Sequence, residues 1–201
     1  MCETQFRDAH PYPWADASEL LDKEVAANAA VELKNFTCWE RVTTHFYTHE
    51  IIPISRISAA LVPGTMRTIV RAAASPHVSA AASRLAAQPV QLVTVDAHRM
   101  WEGDYIAVHN DANSFGELLR MTWFIGQAPT AGGGFAVHTE LDEARVHQVV
   151  PFQPNHWILF SISMESYHSV PPIHGVDAGG RNSVIFTWGT PRHDLSELSN
   201  W

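Results

Sequence analysis

The chain has 201 residues, 46% of them hydrophobic and 17% charged, with a formal net charge of −8. That length suits a single domain with a sizeable core, and the composition excludes a disordered chain. The acidic balance argues against a nucleic-acid partner, and no apolar run is long enough to span a bilayer.

Met1-Cys2-Glu3-Thr4 lacks the basic segment and apolar core of a secretory signal, so a cytoplasmic protein is expected. Cys2 and Cys38 are then reduced thiols without a catalytic role. Pro11 and Pro13 predict an irregular stretch over residues 1–15, because proline resists both helix and inner-strand pairing. Asp16-Ala17-Ser18-Glu19 ahead of Leu20-Leu21 reads as a helix start, with the helix covering the low twenties. Residues 39–52 are open between helix and strand, with Thr43-Thr44-His45-Phe46-Tyr47 favouring strand. From Ile54 to about Ala87 the Ala-, Leu- and Ile-rich sequence predicts two or three helices, divided at Pro63-Gly64 and Pro76.

After Gln88-Pro89 the pattern changes to short strands: 90–95, 105–111, 118–125, 135–140, 146–151, 157–162, 167–170 and 183–188. The turns between them carry Glu102-Gly103-Asp104, Gly132-Gly133-Gly134, Pro154-Asn155, Pro171-Pro172 and Gly179-Gly180. This spacing is that of an all-β sandwich or barrel. The expected organisation is a single α+β domain. Helical support occupies about residues 1–88, a β-roll occupies 89–190, and 191–201 form a tail.

Twelve histidines raise the prospect of a metal site but locate nothing. His109-Asn110-Asp111 locates one. In an extended chain residues i and i+2 share a face, so the imidazole and the carboxylate converge. These are two ligands of a 2-His-1-carboxylate triad, the set that binds non-haem Fe(II) and leaves one face open. His168, in a short extended segment after a strong strand, is the candidate third ligand. Arg181-Asn182-Ser183 opens the last strand, and Arg181 and Ser183 share a face by the same logic. A guanidinium fork beside a hydroxyl suits a carboxylate.

H-x-D, a distal histidine and R-x-S thirteen positions on (181 − 168) together resemble the Fe(II)/2-oxoglutarate-dependent dioxygenase superfamily, most of all its prolyl-hydroxylase-like branch. The resemblance covers about residues 90–190. It implies a double-stranded β-helix (jelly-roll or cupin-like) core, with iron on His109, Asp111 and His168. Under it, 2-oxoglutarate chelates the iron at one end and meets Arg181 and Ser183 at the other. O2 is the second co-substrate, succinate and CO2 are released, and a substrate C–H bond is hydroxylated. Family members that halogenate carry a small residue at the position of Asp111, so its carboxylate implies hydroxylation or a related oxidation. Where prolyl hydroxylases often carry a tyrosine reaching the co-substrate, this chain has Met100. Tyr105 or a residue on a neighbouring strand substitutes, or the pocket is lined differently.

The prime substrate expected from so compact a chain is a small molecule, such as an amino acid or a natural-product intermediate. Two other readings stand beside this one: a cupin-type metalloenzyme that does not use 2-oxoglutarate, and a non-enzymatic ligand-binding β-roll. His98, His147, His156, His174 and His193 are read as ordinary structural histidines. Trp123 and Trp188 are read as core or pocket wall. His138 and Glu140 are either solvated strand residues or substrate contacts.

Overall fold

The computed structural model describes residues 3–112 and 116–190. Two antiparallel sheets face one another. The major sheet holds β1 (Trp14–Ala17), β2 (Glu40–Thr43), β3 (Thr48–Ile52), β4 (Gln91–Met100), β6 (Glu117–Ile125), β9 (Trp157–Ser161) and β11 (Arg181–Gly189). Its order is β1-β9-β6-β11-β4-β3-β2. The minor sheet, in the order β5-β10-β7-β8, comprises β5 (Ile106–His109), β7 (Phe135–His138), β8 (Val146–Val150) and β10 (His168–Val170). This is the double-stranded β-helix that the family resemblance implied.

Alternation along the strands assigns the two faces of the major sheet. Leu92, Val95, Ala97, Leu119, Trp123, Leu159, Val184, Phe186 and Trp188 point outward into a core shared with the helices. Those helices are α2 (Lys23–Asn35), α3 (Gly64–Ala73) and α4 (Pro76–Ala86), which contribute Leu33, Met66, Val70 and Ala82 to the same core. The residues between lie on the concave face: His98 and Met100 on β4, Arg120 and Thr122 on β6, Arg181, Ser183 and Ile185 on β11. Burial of both faces explains why these strands read as nearly continuous apolar runs; polar residues sit mostly in the inner row, with Arg99 and Asn182 bonded to each other on the outer face.

The N-terminal third departs from expectation. Residues 3–7 form a short helix, α1, and β1 follows Pro13 directly. Trp14 pairs with Phe160 at the edge of the sheet, where a preceding proline costs no ladder bond. Asp16 therefore lies in a strand, and the helix starts later. Asp22 is the cap, its carboxylate accepting from Glu24 N at 2.9 Å. Residues 39–52 resolve into the hairpin β2–β3, which extends the major sheet beside β4. Support from residues 1–88 is thus part strand. The 54–87 region holds two short 3-10 turns and the helices α3 and α4, with Ser75 capping α4 through Val78 N. Cys2, His193 and the 191–201 tail lie outside the described residues. Among the described residues, no helix is long and apolar enough to cross a membrane.

Candidate active site

His109 ends β5, and its cross-strand partner is His168, the first residue of β10. Their rings stand 4.3 Å apart. Each ring is oriented by its own backbone: His109 Nδ1 lies 2.9 Å from Ala107 O, and His168 Nδ1 lies 2.8 Å from Ser166 O. A carbonyl only accepts, so each Nδ1 carries the proton and each Nε2 presents its lone pair. Asp111 sits just past the end of β5. Asn110 shapes that exit, accepting from Ala112 N (3.2 Å) and donating to Met164 O (2.9 Å). Asp111 Oδ2 is 3.2 Å from His168 Nε2, and Oδ1 is 3.5 Å from His109 Nε2. One ligand atom from each residue falls within 4.8 Å of the others. Two imidazoles with committed Nδ1 protons and convergent Nε2 atoms, plus one carboxylate, form a donor set that fits Fe(II).

The charges favour the ligating forms of Asp111 and His168. Burial alone would raise the Asp111 carboxyl, but Arg120, His168 and His109 override it and hold the group well below the usual carboxylate range. Burial lowers His168, which favours its neutral form. Burial also works to lower His109, but its hydrogen bond to Asp111 prevails and raises it. Arg120, on β6, is a site residue to which sequence alone assigns no role. It reaches Asp111 Oδ1 through Nη1 (2.7 Å), Glu117 through Nη2 (3.0 Å) and Thr187 through Nε (3.3 Å).

At the other end of the cavity lies Arg181, 2% exposed. Its Nε donates to Gly133 O (3.0 Å) and its Nη1 to Ser183 Oγ (3.0 Å), with Met100 Sδ 3.7 Å from Nη1. Gly133 has φ +67°, and a Cβ there would stand 2.9 Å from Pro129 and 3.3 Å from Ile173; glycine lets this loop close over the arginine. Phe124 and Phe152 flank the guanidinium at 5.0 and 5.1 Å. Nη2 is buried without a hydrogen-bond partner, and no carboxylate pairs with Arg181 among the described residues. Burial pushes Arg181 down to about 9, which leaves it charged at neutral pH.

The triad, Arg120, Arg181 and Ser183 all line one cavity of about 270 Å³. Tyr105 does not. Its hydroxyl turns away to His45 O at 3.4 Å, because it precedes the inward-facing part of β5. Tyr47, His49 and His98 line the wall instead. His98, read from sequence as structural, is therefore a cavity residue. His138, read from sequence as a solvated strand residue or a substrate contact, is instead buried with its Nε2 on Ser169 Oγ at 2.8 Å, and the structural reading describes His156, which pairs with Asp16 at 2.8 Å. His174 pairs with Glu102 on the surface, and Glu140 is exposed. Trp123 and Trp188 belong to the outer core.

The double-stranded β-helix with this cavity places the chain in the fold class of the 2OG-Fe(II) oxygenases, prolyl hydroxylases included. A 2OG-Fe(II) oxygenase-family oxidoreductase from Burkholderia pseudomallei is similar with a TM-score of 0.69, at 17% identity over 93% of this chain and 88% of that one. A Pseudomonas putida prolyl-4-hydroxylase is similar with a TM-score of 0.69, at 12% identity over 94% of this chain and 98% of that one. The non-haem α-ketoglutarate-dependent epimerase SnoN from nogalamycin biosynthesis has a TM-score of 0.66, at 16% identity over 98% of this chain and 87% of that one. No protein-family model and no curated protein sequence matches the chain.

Proposed function

We propose that this protein is an Fe(II)- and 2-oxoglutarate-dependent oxygenase that oxidises an unactivated C–H bond of a small molecule, with O2 consumed and succinate and CO2 released. His109, Asp111 and His168 would hold the ion, and Arg181 with Ser183 would grip the far carboxylate of 2-oxoglutarate. Bound Fe(II) supplies the O2 and one-electron chemistry that amino-acid side chains lack.

The chain's own residues supply geometry. Ala107 O and Ser166 O fix the two imidazoles, and Arg120 fixes the carboxylate. Phe135 stacks on His168 at 5.0 Å and Phe160 packs against it at 4.7 Å, keeping water off that side of the triad. The observation that carries the reading is Arg181. A buried cation with an unpartnered Nη2, in the same cavity as the triad, calls for an anionic ligand. A cupin-type enzyme that does not use 2-oxoglutarate, or a passive β-roll, gives no reason for it.

The fold neighbours include a prolyl hydroxylase and an epimerase, so substrate class follows from the cavity rather than from the fold. A cavity of about 270 Å³ has room for the co-substrate and the reacting end of a small molecule such as an amino acid or natural-product intermediate. The test is 2-oxoglutarate-dependent O2 uptake and succinate release against a panel of such compounds, with mass spectrometry of the product. Gain of one oxygen atom by a panel member, coupled to succinate, is the expected result. Turnover that proceeds without 2-oxoglutarate would overturn the reading.

A further inference from the structure

The concave wall holds a second pair of imidazoles that the iron chemistry leaves unused. His98 on β4 and His49 on β3 stack with ring centroids 4.3 Å apart and planes 18° from parallel. Both line the cavity that contains Arg181 and Ser183. Antiparallel pairing makes His98 the direct cross-strand partner of Ser183, and Met100 the partner of Arg181. All four side chains project from the same face. Directly opposed residues of this kind stand about 4.5–5.5 Å apart at Cβ, within hydrogen-bonding reach of one shared ligand group.

Neither ring has a hydrogen bond to another side chain or to the backbone among the described residues; each contacts its surroundings by stacking. Burial lowers His98 well below the ordinary histidine range, helped by His49, Arg120 and Arg181, and lowers His49 to about 4, helped by Arg41 and Arg181. A neutral imidazole offers one N–H donor and no charge. His98 lies directly opposite Ser183, so that donor is available on the wall where a carboxylate on Arg181 would lie.

We propose that His98 is a co-substrate-binding residue, donating a ring N–H to the far carboxylate of the 2-oxo acid held by Arg181 and Ser183, with His49 stacked behind it as a positioning residue. This rests on the 2-oxoglutarate reading above. It makes the far-carboxylate pocket three-sided: the Arg181 guanidinium, the Ser183 hydroxyl and the His98 imidazole. It also gives His98 a part in selecting a dicarboxylate over a 2-oxo acid that has no second acid group.

The experiment is calorimetric titration of the Fe(II)-loaded, full-length protein under argon with 2-oxoglutarate and, separately, with 2-oxobutyrate, which keeps the chelating end and lacks the far carboxylate. H98F removes the donor and retains an aromatic ring for His49. It should weaken 2-oxoglutarate binding about ten-fold or more, the range of one hydrogen bond to a charged group, and leave 2-oxobutyrate binding unchanged. H98Q, which restores an N–H donor, should recover part of the loss and answers for H98F should that variant fold poorly. Equal weakening of both acids by H98F, or no weakening of either, would overturn the role given to His98 alone. Failure of the wild-type protein to bind 2-oxoglutarate would overturn the parent reading, and this inference with it.

Discussion

Replacing Arg181 with methionine separates what this residue does for folding from what it does for binding. Methionine keeps an unbranched apolar stem of similar length and removes the charge. In the wild-type fold the guanidinium is buried among Phe124, Phe152 and Met100, and burial pushes its pKa from the ordinary arginine range down to about 9. At 1.36 kcal/mol per unit, that is on the order of 5 kcal/mol spent on holding the charge in place. The sign follows from the depressed value: at pH 7 both folded and unfolded forms are protonated, so the whole penalty is present. It would disappear only as pH rises above about 9 toward the ordinary arginine range. Against it stand hydrogen bonds to Gly133 O and Ser183 Oγ, about 1 kcal/mol each, and two aromatic contacts of about 0.5–2 kcal/mol each. The sums are close, so Arg181→Met should melt near the wild-type temperature or above it.

Binding should behave differently. A buried carboxylate deprived of its cation loses about 3–5 kcal/mol, which is on the order of 100-fold or more in affinity for 2-oxoglutarate. Arg181→Lys should recover part of this, since charge survives without the fork, and Ser183→Ala should cost about 1 kcal/mol. The assays are thermal melting of the metal-free variants and 2-oxoglutarate dependence of succinate formation at saturating iron. A methionine variant that loses several kcal/mol of stability yet keeps its 2-oxoglutarate affinity would refute the reasoning, because Arg181 would then be a structural residue.

His109→Ala, Asp111→Ala and His168→Ala should each weaken Fe(II) binding and leave far-ultraviolet circular dichroism unchanged, whereas His174→Ala, altering only a surface pair with Glu102, should bind iron like wild type. Metal affinity should fall on the acid side as pH drops through the pKa of His109, which Asp111 holds above the ordinary histidine range despite burial, since only the neutral ring ligates; Fe(II) titrations across pH check this, and an affinity flat from neutral to acid pH would contradict it. Asp111→Gly should abolish hydroxylation, read as loss of oxygenated product with any remaining succinate release uncoupled.

The convergence of His109 and Asp111 was legible because it is local. His109 and Asp111 are two residues apart, and their convergence needs only an extended backbone ending in a turn. The strands from Gln91 onward were legible for a related reason: period-2 runs bounded by glycine and proline keep their meaning whatever they pack against. Residues 1–52 were less so. β1 and the β2–β3 hairpin exist because β9 and β4 offer edges to pair with, a long-range cause that local propensity does not record. Pro13 suggested irregular chain, and the edge position of β1 removes the objection. Arg120 and His98 were missed as site residues because their roles depend on register. Arg120 gains its partner from the turn after β5, and His98 becomes a wall residue by lying opposite Ser183. Tyr105 was one candidate to replace the co-substrate tyrosine of prolyl hydroxylases, and the turn at Glu102–Asp104 rotates it outward. Gly103 at φ +78° and the buried Asp104, bonded to Arg41 and Trp101 N, set that turn.

The central claim is that one cavity joins an iron triad to a 2-oxo-acid pocket, and anaerobic titration reads both at once. Adding 2-oxoglutarate to the Fe(II)-loaded wild-type protein without oxygen should produce the visible charge-transfer band of an iron–2-oxo-acid chelate, saturating at one equivalent. The band should be absent in His168→Ala and should require far more 2-oxoglutarate in Arg181→Met. Iron bound through His109, Asp111 and His168 with no band at any 2-oxoglutarate concentration would contradict the account.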